Sequence, residues 1–203
     1  MRCQSLVMVG LLAVSVSNSA HGVTIDFDSL ERWDVVTTQF PEASFSTEDG
    51  FQITVRTGDL GSSLPNFICT DLAGAPDIGP PYGCSNEIII SFSNGVSGLS
   101  FLAVGGDHVG VAAQVDVFSS GSYADSIGIV TDGSPFIPDL VDLTAFEDVT
   151  SIRIHSVIDN AGLGFDDFTF IPEPSASLLF CLGLLGIGAN ARRPTSNRDR
   201  KWI

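Results

Sequence analysis

The chain has 203 residues, enough for one ordinary domain with short appendages. It carries 24 acidic side chains against 9 Lys and Arg, a formal net charge of −15, which argues against a nucleic-acid partner. Residues 23–174 hold 23 of the acids, three Arg and no Lys, whereas both ends are basic, so the sequence predicts an acidic domain between appendages that contact a membrane.

The first 22 residues have the outline of a secretory signal peptide. Arg2 precedes a largely apolar run from Leu6 to Val16, and small or polar residues then lead to Ala20 and Gly22. A cut after Gly22 would remove this leader. The alternative is a core helix, but an apolar run of about ten residues behind a lone cation at the N-terminus favours export.

From Val23 onward, apolar and polar residues alternate with a period of two, as they do in half-buried strands. The predicted strands are Val23 to Phe27, Ala43 to Ser46, Phe51 to Val55, Phe67 to Asp71, Glu87 to Phe92, Leu99 to Val104, Val111 to Phe118, Ile127 to Thr131, Leu140 to Phe146, Ile152 to Ile154 and Phe168 to Phe170. Nine to eleven short strands without long amphipathic helices predict an all-β, jelly-roll-like sandwich over residues 23–170.

Turn residues separate these strands. Asn94-Gly95 predicts a tight hairpin turn, and Ser120-Gly121-Ser122 predicts a second one. Segments 58–66 and 72–85 are rich in Gly, Pro and Asp and predict long loops.

The exported part retains two cysteines, because Cys3 would leave with the leader and Cys181 lies in an apolar segment near the C-terminus. Cys69 and Cys84 therefore predict a disulfide. Closing a loop of about 15 residues would contribute roughly 3 kcal/mol in the chain-entropy model. A metal site is the alternative, and it would need further ligands from separate segments.

Three features follow one another near the C-terminus. Pro172-Glu173-Pro174 precedes the 17 uncharged residues from Ser175 to Ala191, and Arg192-Arg193 comes next. Seventeen residues are the lower limit for a membrane-spanning helix, and the arginines favour a cytoplasmic end. A buried C-terminal helix is disfavoured, because the segment has no polar face. The sequence thus predicts a single transmembrane helix within 171–193 and a basic cytoplasmic tail over 194–203.

Together these three features resemble the PEP-CTERM sorting signal of Gram-negative, exopolysaccharide-making bacteria. The resemblance covers about 22 residues. It implies that exosortase, an intramembrane cysteine protease, recognises Pro172, Glu173 and Pro174 and removes the signal. An inner-membrane precursor would then become a cell-surface or extracellular protein. The ten residues after Arg193 depart from the pattern, since such chains usually stop almost at once.

The borders of the predicted sandwich are similar to those of jelly-roll modules found in many PEP-CTERM proteins. The similar segments are Val23 to Asp28, Val36 to Phe40, Val141 to Leu143 and Gly164 to Phe170. Those modules resemble galactose-binding-like and carbohydrate-binding domains, so the resemblance implies a jelly-roll sandwich and sugar binding.

The same resemblance implies a structural calcium ion shared by acidic residues of the first and last strands. The matching positions are Asp28, with Asp26 as alternate, and Asp166, with Asp167 as alternate. Strand parity predicts that Asp166 shares the inward face of Phe168, where a bare carboxylate is costly to bury and calcium would accept its oxygens. The alternative is that Asp166 and Asp167 cap a turn and point to water.

The sequence contains no serine-hydrolase elbow, zinc-protease, Walker or dinucleotide-binding motif. Trp33 and Tyr82 are candidates for stacking against sugars, and a structural role at the end of the sandwich is the alternative for Trp33. The predicted function is a non-catalytic surface or matrix protein that binds exopolysaccharide. A hydrolase with paired carboxylates on the same fold is the alternative.

Overall fold

The computed structural model describes residues 21–48, 50–58, 66–72, 84–160 and 162–173. These residues form ten β-strands and no helix, which confirms the all-β class. The strands are β1 (Val23–Ile25), β2 (Ala43–Ser46), β3 (Phe51–Thr57), β4 (Asn66–Leu72), β5 (Ile88–Val104), β6 (Val109–Ser119), β7 (Ser122–Asp132), β8 (Asp139–Asp142), β9 (Val149–His155) and β10 (Gly164–Pro172).

The predicted signal peptide, transmembrane segment and basic tail lie outside the described residues, apart from a few residues at their inner borders. Within the described ranges, no helix is long and apolar enough to cross a membrane.

The long strand β5 joins two groups of antiparallel strands. Its first half pairs with β2 and β9, and its second half pairs with β8 and β10. One group continues from β9 to β6 and β7, and the other continues from β10 to β4 and β3. Both groups contribute apolar side chains to one buried cluster, so they form the two layers of the predicted β-sandwich.

Phenylalanines fill the core where β1, β2, β5 and β10 meet. Phe168 is fully buried, and its ring centroid lies 4.9 Å from that of Phe101, 6.0 Å from Phe27 and 6.2 Å from Phe45. Burying each such ring contributes about 1.5–3 kcal/mol. The alternation of apolar and polar residues in β10 therefore anchors the last strand in the centre of the domain.

The prediction of a hairpin at Asn94-Gly95 is wrong. Both residues lie within β5, where the register with β9 shifts between Ser91 and Val96. A tight turn is a local preference, and here it is outweighed because β5 pairs with strands on both of its edges. Gly95 packs against Asp148, because a Cβ at position 95 would collide with the Asp148 carboxylate and displace it.

The second predicted hairpin is confirmed. β6 and β7 pair from Val109↔Asp132 to Ser119↔Ser122. The two residues between them, Ser120 and Gly121, have φ values of 50° and 76°. Positive φ at both positions is characteristic of the type I′ turn, whose twist matches that of the strands.

The predicted disulfide between Cys69 and Cys84 is present, with the two Cα atoms 4.7 Å apart. Cys69 packs with Phe67 and Val104 in a small second cluster, outside the main core, which we call the disulfide cluster. The Cys84 N–H donates to the carbonyl of Thr70 at 2.9 Å. The disulfide thus ties residue 84 to β4.

Candidate functional site

Trp33 lies in a tight turn that packs along the edge strand β3. The turn is closed by hydrogen bonds from Asp34 N–H to the Glu31 carbonyl, at 3.0 Å, and from Glu31 N–H to Asp34 Oδ2, at 2.9 Å. The Trp33 N–H donates to the Val55 carbonyl at 2.8 Å. Trp33 has a φ of 77°, which is rare for a bulky residue and persists only where surrounding contacts fix it.

Two guanidinium groups lie at the Trp33 ring. The Cζ atom of Arg56 is 4.1 Å from the ring centroid and that of Arg32 is 4.5 Å away, both within cation–π range. Arg56 Nε donates to Asp71 Oδ2 at 3.0 Å, a second nitrogen contacts Oδ1, and Thr54 also donates to Asp71. Asp71 is only 1% exposed, so these contacts compensate its buried charge.

Arg32 differs from Arg56, because it is exposed and no carboxylate of the described residues forms an ion pair with it. The half-buried Trp33 ring and the Arg32 guanidinium thus lie together at the surface. An aromatic ring can stack on the apolar face of a sugar, and a guanidinium can donate hydrogen bonds to its oxygens. The contact between Trp33 and a glycan stays a prediction, and Tyr82 lies outside the described residues.

A groove of about 260 Å³ lies beside the paired strands β2 and β5, next to the segment that precedes β2. Its lining combines hydroxyl groups with apolar side chains and contains no charged residue: Thr38, Phe40, Pro41, Ala43, Ser44, Ser91, Phe92 and Ser93. Sequence reasoning missed this groove, because its walls come from segments about 50 residues apart that only the β2–β5 pairing brings together.

Asp166 does not share the face of Phe168, so the parity argument is wrong. Asp167 has a φ of 51°, and the register of β10 with β5 shifts between Asp166 and Thr169, as in a β-bulge. Asp166 pairs with Leu102 and lies on the face of the disulfide cluster, where it is fully buried. The extra residue at the bulge changes which face each position occupies, and alternation alone could not reveal it.

Among the other carboxylates of the expected calcium site, Asp26 and Asp28 are exposed and Asp167 is half-buried. Asp28 Oδ1 accepts the Asn66 N–H at 3.3 Å, and Asp26 Oδ1 accepts the Asp28 N–H at 3.2 Å. The described residues contain no group of three or more His, Cys, Asp or Glu that could hold a metal ion. Calcium takes six to eight oxygens, and backbone carbonyls and waters can supply some of them. Calcium binding stays a prediction, and a calcium-dependent rise in melting temperature that Asp166→Ala abolishes would support it.

The His155 ring, on β9, contacts β6 through Nε2, whereas Nδ1 contacts the next residue in the chain. Nδ1 lies 2.8 Å from Ser156 Oγ, and Nε2 lies 3.2 Å from Asp116 Oδ2 without the alignment of a hydrogen bond. Burial raises the pKa of Asp116, but the Ser126 hydroxyl, the His155 ring and the Arg153 charge together lower that pKa below its ordinary value. The contact between Asp116 and His155 thus joins β6 to β9.

A pair of carboxylates flanks the loop between β7 and β8. Burial, and then the negative charge of Asp132, raise the pKa of Asp139 above its ordinary value. Glycosidases use two carboxyl groups, one of which has a raised pKa. Phe136 in the same loop is 68% exposed.

The last strand runs directly into the predicted sorting residues. Pro172 pairs with Val96, the Glu173 N–H donates to the Gly95 carbonyl at 2.8 Å, and Glu173 Oε1 accepts the Asp148 N–H at 3.1 Å. Two residues of the three-residue motif are therefore docked on the sandwich. The remaining predicted sorting residues, Pro174, Arg192 and Arg193, lie outside the described ranges.

The family model described as the PEP-CTERM protein-sorting motif matches residues 170–193. This match confirms the resemblance, and it overlaps the end of β10. The protein is thus a β-sandwich that carries a PEP-CTERM sorting motif, a motif that implies export and processing by an exosortase. A search of curated proteins finds no match to the chain.

Three solved structures are similar to this chain at low identity. The K2 cleaved adhesin domain of Lys-gingipain is 12% identical, with 74% of this chain and 99% of that chain covered and a TM-score of 0.49. A family 35 carbohydrate binding module from Clostridium thermocellum is 13% identical, with coverages of 76% and 100% and a TM-score of 0.41. The K1 cleaved adhesin domain of Lys-gingipain from Porphyromonas gingivalis W83 is 11% identical, with coverages of 76% and 99% and a TM-score of 0.44.

Proposed function

We propose that this protein is an exosortase-sorted component of the cell surface or extracellular matrix that binds exopolysaccharide without catalysing a reaction. The junction at residues 170–173 supports the sorting part of this proposal, because the last strand of the sandwich continues there into the sorting motif. The 23 acidic side chains of residues 23–174, against three Arg, favour a solvated, soluble domain.

The surface formed by Trp33 and Arg32 is the proposed contact with the polysaccharide. Asp71 fixes Arg56, and Arg56 lies against the Trp33 ring, so the ring is held in place before a ligand arrives. A prearranged aromatic contact loses little entropy on binding. Arg32 supplies an exposed guanidinium for sugar hydroxyl or carboxylate oxygens. Tyr82 is the second proposed contact.

Tryptophan fluorescence tests this contact directly. The chain has two Trp, and Trp202 lies in the basic tail, so the processed protein reports on Trp33 alone. Titration with exopolysaccharide from the host is expected to change the emission saturably, and Arg32→Ala is expected to weaken binding roughly fivefold. Arg153→Ala is the control, because it makes the same change in net charge at a site on β9. Equal effects of the two variants, or no emission change with the wild type, would contradict the proposal.

One observation favours the hydrolase alternative: burial and the charge of Asp132 raise the pKa of Asp139. Incubation of the processed protein with the same polysaccharide is expected to release no new reducing ends. If the wild-type protein cleaves the polysaccharide and Asp139→Asn does not, the function is hydrolysis and not binding alone.

A further inference from the structure

The folded domain already uses the polar groups of Glu173, the acidic residue of the sorting motif. Its backbone N–H donates to the Gly95 carbonyl at 2.8 Å, and its Oε1 accepts the Asp148 N–H at 3.1 Å. Pro172, the residue before it, is paired with Val96 in the sandwich. Glu173 is consequently only partly exposed.

The groups that receive Glu173 are themselves fixed. Asp148 has a φ of 50°, its carbonyl accepts the Ser120 N–H at 3.0 Å, and its carboxylate accepts the Ser120 hydroxyl. Gly95 leaves the space that this arrangement needs, because a Cβ would collide with the Asp148 side chain. Gly95 and Asp148 thus form a receptor for Glu173, built from residues far outside the sorting motif.

Very little chain separates this receptor from the apolar segment. Only Pro174 stands between Glu173 and Ser175, where the uncharged run begins. Two residues span about 7 Å at most, even when fully extended. A membrane-embedded protease can therefore engage Glu173 only close to this end of the sandwich.

We propose that Gly95 and Asp148 are positioning residues for exosortase processing, and that cleavage proceeds from a minor state in which residues 171–173 have left β5. An enzyme that reads Glu173 must take over the N–H and carboxylate that the sandwich now holds, so the docked and enzyme-bound forms exclude each other. The processing rate then decreases as the docked fraction of the precursor increases. This proposal rests on exosortase processing of the chain and is independent of polysaccharide binding.

Gly95→Ala tests the receptor without changing the motif. The φ of Gly95 is not positive, so alanine fits the backbone. Its Cβ would collide with the Asp148 carboxylate and lie 3.3 Å from the Asp148 Cα, so we expect Asp148 to move and its N–H to bind Glu173 less well. Processing in pulse–chase experiments in a host with exosortase is expected to quicken by up to roughly tenfold, the equivalent of one hydrogen bond to a charged group. Asn94→Ala is the matched control, because Asn94 is adjacent and exposed. A purely structural role would lower the melting temperature of the precursor without quickening processing.

A disulfide lock tests the same proposal in the opposite direction. Ser97 and Ile171 are opposite each other in the β5–β10 register, so Ser97→Cys with Ile171→Cys can fasten the end of β10. Once intact mass shows that the bond has formed, the oxidised precursor in membranes containing exosortase is expected to stay uncleaved until reductant is added. Wild-type precursor should be cleaved with and without reductant, which controls for the protease itself.

Two results would overturn the proposal: a locked precursor cleaved at the wild-type rate, or Gly95→Ala processed no faster than Asn94→Ala. If Gly95→Ala fails to fold, the lock decides alone.

Discussion

At the scale of single residues, Asp71 sets the position of the candidate binding surface although it does not belong to that surface. It is buried, it holds Arg56 by two contacts, and Arg56 in turn lies against Trp33. A buried ion pair adds little net stability as a whole, but removing one partner leaves the other charge uncompensated. Its role here is to hold the arginine and the tryptophan in place.

Asp71→Ala is therefore expected to lower the free energy of unfolding by about 3 kcal/mol, the lower end of the range for a broken buried pair, because Arg56 is partly exposed. The same variant should shift the fluorescence of Trp33 in the folded processed protein, since Arg56 loses its anchor. Denaturant unfolding and emission spectra measure the two effects. Wild-type stability together with a wild-type spectrum would show that Asp71 does not position the surface.

The pKa of Asp139 predicts a pH-dependent effect. Burial and the charge of Asp132 raise this pKa above its ordinary value of 3.8, so folding favours the protonated acid. The stability gained from protonation is fully present below pH 3.8 and is lost as the pH rises through the higher folded pKa. Asp139→Asn is expected to raise the melting temperature at neutral pH and to leave it nearly unchanged near pH 3.

Asp142, on the same strand, is the matched control with the opposite sign. The Thr144 hydroxyl and N–H lower its pKa, so its ionised form contributes stability that is present above the ordinary pKa and lost as the pH falls through the lower folded value. Asp142→Asn should lower the melting temperature at neutral pH. Shifts of the same sign in both variants would contradict this account of the two carboxyl groups.

At the scale of strands and turns, the sequence predicted the features that depend only on neighbouring residues in the chain. The turn at Ser120 and Gly121 needs two residues with positive φ, and the chain supplies suitable residue types there. Asn94-Gly95 carries an equally strong local signal, but pairing on both edges of β5 determines its conformation. The bulge at Asp167 and the groove beside β2 likewise depend on distant partners, so periodicity could not predict them.

The last strand depends on Phe168 for its anchorage. Three other phenylalanine rings surround it, and it is fully buried, so Phe168→Ala should lower the free energy of unfolding by about 3–5 kcal/mol. Phe136→Ala is the matched control, because that ring is 68% exposed, and it should change stability by less than about 0.5 kcal/mol. Chemical denaturation of both variants measures the difference. Equal losses would place Phe168 outside the core.

The disulfide closes the loop between β4 and β5. Replacing Cys69 and Cys84 together by Ala should cost roughly 3 kcal/mol, as expected for a loop of about 15 residues. Thiol labelling of denatured, unreduced exported protein should detect no free thiol in residues 23–173. Labelling of either cysteine would contradict the pairing found in the structure.

At the scale of the whole molecule, the last strand of the sandwich and the sorting motif share residues. β10 is anchored in the core by Phe168, pairs with β1, β4 and β5, and ends at Pro172 inside the sorting motif. The acidic charge lies between two basic ends, and contact of those ends with a membrane stays a prediction. The charge pattern does not identify a binding surface, because such a surface is assembled from separate turns and strands.

Intact-mass measurement of protein recovered from the exopolysaccharide fraction of the host tests the central claim most directly. The account predicts one species in that fraction, which begins near Val23, lacks Arg192 and Arg193, and has Cys69 and Cys84 bonded. Protein that still carries the arginine pair at the surface would contradict sorting by exosortase. Processed protein that is found only in the soluble medium, with none in the polysaccharide fraction, would contradict matrix binding.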